Sequence, residues 1–188
     1  AEFEFNVVTV ETGGKAPVPT PRVGNVSSSC GLCGTSTLTD MATQLDALEP
    51  TVRFRPDAIA KVLVTVGERQ EMFSRTGGLH AAAAFDEFGT IEEVREDIGR
   101  HNAVDKAYGA WHQHANAPAD VLLLSGRCGW DIVAKAAAMG TPIIASFGAA
   151  SSLAAETARA SNMTLISFVK GNKAVIIGPV EGRFQRKH

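Results

Sequence analysis

From Val121 onward, short apolar runs alternate with helix-compatible segments, and this alternation restricts the possible folds more than any other feature. Val121–Leu124, Ile143–Ala145 and Thr164–Phe168 read as strands. Between them, Trp130–Met139 reads as a helix ended by Gly140, and Ser151–Ser161 as a helix capped by Ser151 or Ser152. The runs are apolar at consecutive positions, so both faces of each strand must be covered. Strands joined through helices lie parallel. The pattern predicts a mostly parallel sheet with helices on both faces.

Upstream, Asp57–Arg75 predicts a helix with Ile59, Val62, Leu63, Val66, Met72 and Phe73 on its buried face, ended by Gly77-Gly78. His80–Asp86 and Thr90–Arg95 flank Glu87-Phe88-Gly89 as a β-hairpin. Gly99–His114 carries Ala103, Ala107 and Trp111 at helical spacing, and Trp111 and Trp130 are expected in the core. A turn at Gly171-Asn172 leads into a last strand, Ala174–Ile177. The order helix, hairpin, helix, strand, helix, strand, helix, strand is that of the cytidine-deaminase-like fold. The expected class is therefore α/β: a three-layer α-β-α sandwich on a mixed, mostly parallel sheet, spanning residues 51–188. Residues 1–50 form a separate N-terminal part. It has a strand over Phe3–Val10, a proline-marked mobile lead-in to Ser29, a thiol loop, and a short helix over Ser36–Leu48. Its abrupt start reads as the remnant of a longer N-terminal region.

Composition serves mainly to exclude. A formal net charge of −2 gives no electrostatic case for nucleic acid or an anionic membrane surface. No apolar stretch is long enough to span a bilayer, and AEFEFNVV lacks the parts of a signal peptide. Cys30, Cys33 and Cys128 are the three cysteines, too few and too uneven for a secreted disulfide scaffold. A cytoplasmic protein is expected.

The chemistry concentrates in Ser27-Ser28-Ser29-Cys30-Gly31-Leu32-Cys33-Gly34. Two thiols in a CxxC spacing, each followed by glycine and placed just before a helix start, favour a reactive thiolate in an open loop. Three roles fit: half of a structural zinc site recruiting Cys128, His80 or His101; a dithiol–disulfide redox couple; or a sulfur carrier using a persulfide. A second cluster, Glu96–Lys106, places Arg100 and His101 in the first turn of a helix, an anion seat. Asp105 and Lys106, one turn on, are expected to pair with Arg100 or His101. A capped, solvated helix explains the same residues equally well. Ser125-Gly126-Arg127-Cys128-Gly129 follows a buried strand, where α/β sheets collect ligands, with Arg127 as a phosphate or carboxylate clamp. Cys128 reads as a small buried hydrophobe. Lys170-Gly171-Asn172-Lys173 offers two cations on a turn suited to a diphosphate, although a surface turn is the commoner meaning. A zinc deaminase would need H-x-E and P-C-x-x-C at the two helix starts. Arg100-His101 and Arg127-Cys128 supply neither, which points to a site turned from zinc hydrolysis to anion binding.

SSCGLCG, His80-Ala81-Ala82-Ala83, EDIGRHNAVDK, LLLSGR and TLISFVKGNK, in this order, resemble the formate dehydrogenase accessory sulfurtransferase family (FdhD/NarQ). The resemblance runs from about Ser27 to the last strand. It implies a deaminase-like fold, a cytoplasmic homodimer, and sulfur accepted from a cysteine desulfurase as a cysteine persulfide. The sulfur would pass to the molybdenum or tungsten cofactor, bis-molybdopterin guanine dinucleotide, for formate dehydrogenase. By motif, Cys30 would be the carrier with Cys33 as partner, and Phe168, Val169, Lys170, Gly171, Asn172 and Lys173 would bind the cofactor. Arg100, His101, Ser125 and Arg127 look like further pocket wall, with no metal held by the protein itself. Cys128, Gly129, Asp131 and Lys173 depart from the residues usual at those places.

Overall fold

The computed structural model describes residues 9, 11–16, 45, 47–49, 55–115, 117–170 and 173–184. Among these, six strands form one sheet in the order β2-β1-β3-β4-β5-β6. The strands are β1 (His80–Phe85), β2 (Ile91–Asp97), β3 (Val121–Leu124), β4 (Ile143–Ser146), β5 (Thr164–Lys170) and β6 (Lys173–Ile177). The helices are α1 (Pro56–Glu68), α2 (Glu71–Thr76), α3 (Arg100–His114), α4 (Trp130–Ala138) and α5 (Ser152–Ala160). The central pairs β3–β4 and β4–β5 are parallel, while β1–β2, β1–β3 and β5–β6 are antiparallel. This is the expected mixed sandwich, parallel at its centre.

The side-chain alternation of each strand separates two cores. Ala82, Ala84, Leu122, Leu124, Ile144 and Leu165 meet Val104, Ala107, Ile132 and Ala158 from α3, α4 and α5. Ala81, Ala83, Phe85, Val121, Leu123, Ile143 and Ala145 face Ala58, Val62 and Val66 of α1. The four alanines of β1 are poor strand formers, but burial on both faces overrides propensity and small side chains admit helices on either side. Trp111 is buried and donates from Nε1 to the Ala117 carbonyl at 2.8 Å, whereas Trp130 is only partly buried at the start of α4.

Two expectations need correction. The single helix over Asp57–Arg75 is broken at Arg69-Gln70, and Met72 and Phe73 are exposed rather than on a buried face. The reason is a long-range cap: the Glu96 carboxylate of β2 accepts from the Met72 and Phe73 amides at 2.9 and 2.8 Å, starting α2 on a new axis. Asp105 and Lys106 pair elsewhere than expected. Lys106 bonds Asp97 and Asp105 bonds Lys135, which staples α3 to β2 and to α4.

The strand expected over Phe3–Val10 and the helix over Ser36–Leu48 lie almost wholly outside the described residues, as does the boundary expected near residue 50. Leu48 itself is non-helical. Its amide donates to Ser161 O, and its carbonyl accepts from Asn162 Nδ2. No helix among the described residues is long and apolar enough to cross a membrane.

Candidate functional site

The topology brings one end of every central strand to a common rim. Because β1 runs antiparallel to β3, His80 at its start lies beside Ser125 at the end of β3. The Ser125 Oγ accepts from the Ala81 amide at 2.8 Å and its own amide donates to Ala81 O, so the ladder continues one residue into the loop. Gly126 fits between His80 and Arg100: a Cβ there would stand 3.1 Å from the His80 ring and 3.9 Å from the Arg100 Cβ. A cleft of about 410 Å³ opens alongside, lined by Gln70, Phe73, Gly77, Gly78, Leu79, His80 and Ser125.

The loops after β3 and β4 and the end of β5 are stitched together at Gly148. Its amide donates to Gly126 O at 3.2 Å, and its carbonyl accepts from the Phe168 amide at 3.2 Å and from Ser146 Oγ at 2.9 Å. A Cβ at this position would fall 2.9 Å from the Arg127 N and Cα and from Gly126 O. Cys128 and Ala150 extend the contact as a parallel bridge. Arg127, Phe147 and Phe168 therefore leave one knot of backbone, at the carboxyl ends of parallel strands where ligands of open α/β sheets bind.

Two helices start at this rim on glycine caps. Gly99 precedes α3 and Gly129 precedes α4, neither start has a side-chain cap, and their first-turn amides are turned toward the same end of the sheet. By contrast α5 is capped by Ser151 Oγ. The two starts are joined by His101 and Asp131, buried side chains in ion-pair contact without hydrogen-bond alignment. Burial holds His101 below the usual histidine pKa, opposed by the Asp131 charge. Gly129 makes room for this carboxylate, since any Cβ there would collide with Asp131 Oδ1. Two donors at these starts, Arg100 Nε and Trp130 Nε1, are buried with no acceptor among the described residues.

Cys128 is 1% exposed, and burial, reinforced by Asp131, pushes its thiol up to about 12. It is a packing residue. At the two helix starts where a deaminase holds zinc, this chain has an ion pair and an inert thiol. Among the described residues no group of three His, Cys, Asp or Glu side chains could hold a metal.

The expected site residues thus divide into three groups. Arg100, Ser125 and Arg127 gather with Phe168, Lys170 and Lys173 at one end of the sheet. His101 is there too, but turned inward, and the Val169 side chain is buried in the core. Cys30, Cys33, Gly171 and Asn172 lie outside the described residues. Lys170 pairs directly with Lys173 across the β5–β6 ladder. Among the described residues neither lysine, nor Arg127, has an anionic partner. Like charges held opposite each other cost stability, so an anion would relieve the arrangement. Gly148 goes unremarked in the reading of the site from sequence, and Asp131 is named there only as a departure from the residue usual at its place, although it falls in the first turn after Gly129, where a helix-start carboxylate is favoured.

Fold and rim together define a mixed α/β protein whose cationic side chains and uncapped helix starts gather at one end of the sheet. The match to the FdhD/NarQ family model covers residues 3–181, and the chain belongs to that family. It is similar to proteins named sulfur carrier protein FdhD. The one from Streptomyces coelicolor is 42% identical over 176 residues, covering 89% of this chain and 62% of the relative. That from Thermoplasma acidophilum is 42% identical over 149 residues, covering 79% and 53%. The chain spans about three-fifths of the length of the curated relatives it matches. A crystal structure of a proposed formate dehydrogenase accessory protein from Desulfotalea psychrophila superposes with a TM-score of 0.68 at 26% identity, covering 77% of this chain and 62% of the other.

Proposed function

We propose that this chain is a sulfur carrier in formate dehydrogenase maturation. The Cys30 thiolate attacks the outer sulfur of a cysteine desulfurase persulfide. The donor's S–S bond breaks, its electron pair leaves with the donor thiolate, and the outer sulfur now sits on Cys30. Passing that sulfur on as sulfide takes two electrons. A disulfide closed between Cys30 and Cys33 would supply them, and a cellular dithiol would reopen it. The acceptor is the metal centre of Mo-bis(molybdopterin guanine dinucleotide) or its tungsten counterpart, bound as substrate. Its guanine dinucleotide lies on Arg127, Ser125, Arg100 and the segment Phe168-Val169-Lys170-Gly171-Asn172-Lys173, with His101 holding the helix starts beneath. The working unit is a homodimer in the cytoplasm.

The observation that carries this reading is kinship with proteins named sulfur carrier protein FdhD over most of this chain. Support for the anion half comes from three rim cations without counter-ions, and two buried donors without acceptors, among the described residues. The test is complementation of cells lacking their own family member, read as formate dehydrogenase activity. The wild-type chain restores activity and Cys30→Ala does not. If Cys30→Ala restores full activity, the protein is a cofactor-holding chaperone and the sulfur role is wrong.

A further inference from the structure

Phe168 has φ +54°, a left-handed conformation that bulky residues adopt at a cost, and the residue is 55% exposed. A core residue would not be held this way. The conformation coincides with the register shift between Ser167 and Lys170, which turns Phe168 outward while Val169 returns to the core. Its amide is fixed on the Gly148 carbonyl at 3.2 Å, and the residue before Gly148 is Phe147, itself 40% exposed. Two phenyl rings are thus carried into solvent from adjacent parallel strands, tied at one glycine. That glycine packs on the Arg127 backbone, and Lys170 follows two residues after Phe168. Exposed aromatic rings beside cations unpaired among the described residues match a planar heterocycle with a phosphate tail: the ring face stacks and the cations take the charge.

We propose that Phe147 and Phe168 form an aromatic platform for the purine base of the bound nucleotide, with Phe147 as a stacking residue that favours a nucleotide over a bare diphosphate. The proposal rests on the nucleotide-substrate reading above and adds the half that recognises the base. A stacking platform reads the face of a base and not its edge, so by itself it holds guanine and adenine alike.

The test is calorimetric titration of the full chain with GDP, ADP and inorganic pyrophosphate. Wild type is expected to bind GDP more tightly than pyrophosphate. Phe147→Leu should weaken GDP and ADP roughly fivefold to hundredfold, the range of one lost base–aromatic stack. Phe147→Trp should keep GDP affinity within about twofold, since every aromatic face can stack. Pyrophosphate should bind Phe147→Leu as it binds wild type, showing that the rim is still folded. Unchanged GDP affinity in Phe147→Leu overturns the platform while leaving the nucleotide reading intact. Equal wild-type affinity for GDP and pyrophosphate does the same. A wild-type chain that binds none of the three overturns both.

Discussion

His101 and Asp131, thirty residues apart, meet in a buried ion-pair contact that locks the start of α3 to the start of α4. The two partners are not equivalent. Removing Asp131 leaves a buried imidazole that burial already favours as neutral. Removing His101 leaves a buried carboxyl group without the imidazole packed on it. His101→Ala and Asp131→Ala are each expected to cost about 1–3 kcal/mol, the range for a buried polar group left without its partner, with His101→Ala the larger. Urea unfolding of both variants checks the order.

The same pair sets a pH dependence. Burial lowers the His101 pKa below the ordinary histidine value of 6.5, with Asp131 and Asp105 opposing and Arg100 and Lys135 assisting. As pH falls below about 6.5 the unfolded chain takes up a proton that the folded chain resists, so stability declines toward acid. His101→Asn should flatten the decline between pH 7 and 5. Asp97 acts in a lower window. Its pKa is lowered first by the Lys106 hydrogen bond, so its contribution persists above about 3.8 and is lost as pH falls through the depressed value. Denaturation midpoints at unit pH steps measure both.

At Gly148 the obstacle is backbone. The atoms 2.9 Å from a Cβ belong to Gly126 and Arg127, which cannot rotate away. Gly148→Ala must part the β3 and β4 loops, at about 1–3 kcal/mol by analogy with overpacking. It should reduce nucleotide affinity beyond what the lost stability explains. Titration with GDP well below the melting temperature separates the two effects.

Much of the sheet was legible because its signal is local. Val121–Leu124 was bounded to the residue, and Ile143–Ala145 fell short by only Ser146, because consecutive apolar residues between turn markers admit few alternatives. The break at Arg69-Gln70 was not, because Gly67 lies inside the last turn of α1 and the Glu96 cap that restarts the helix comes from another strand. At the rim, Arg100, Ser125 and Arg127 could be picked from their places after strands and at helix starts. The outward turn of Phe168 could not, because it depends on how β5 meets β6 and on a bond to Gly148. His101 looked like a ligand-facing residue. Its partner Asp131 is distant in sequence, and only the packing of α3 beside α4 turns the imidazole inward.

Cys128 provides a negative control among the thiols. With the group buried and pushed up to about 12, alkylating reagents at pH 8 should leave it unmodified in the folded chain. Cys128→Ala should cost about 1 kcal/mol for the small cavity and leave sulfur loading unchanged. Peptide mass mapping after brief labelling reads the first, and thermal unfolding the second.

The central claim is that sulfur rides on the loop at Cys30 and Cys33. Incubation with a cysteine desulfurase and isotopically labelled cysteine, followed by mass spectrometry without reductant, tests it most directly. The account predicts one added sulfur on the Cys30 peptide of the wild-type chain, lost in Cys30→Ala and kept in Cys128→Ala. Label at wild-type levels in a Cys30→Ala, Cys33→Ala double variant would contradict it.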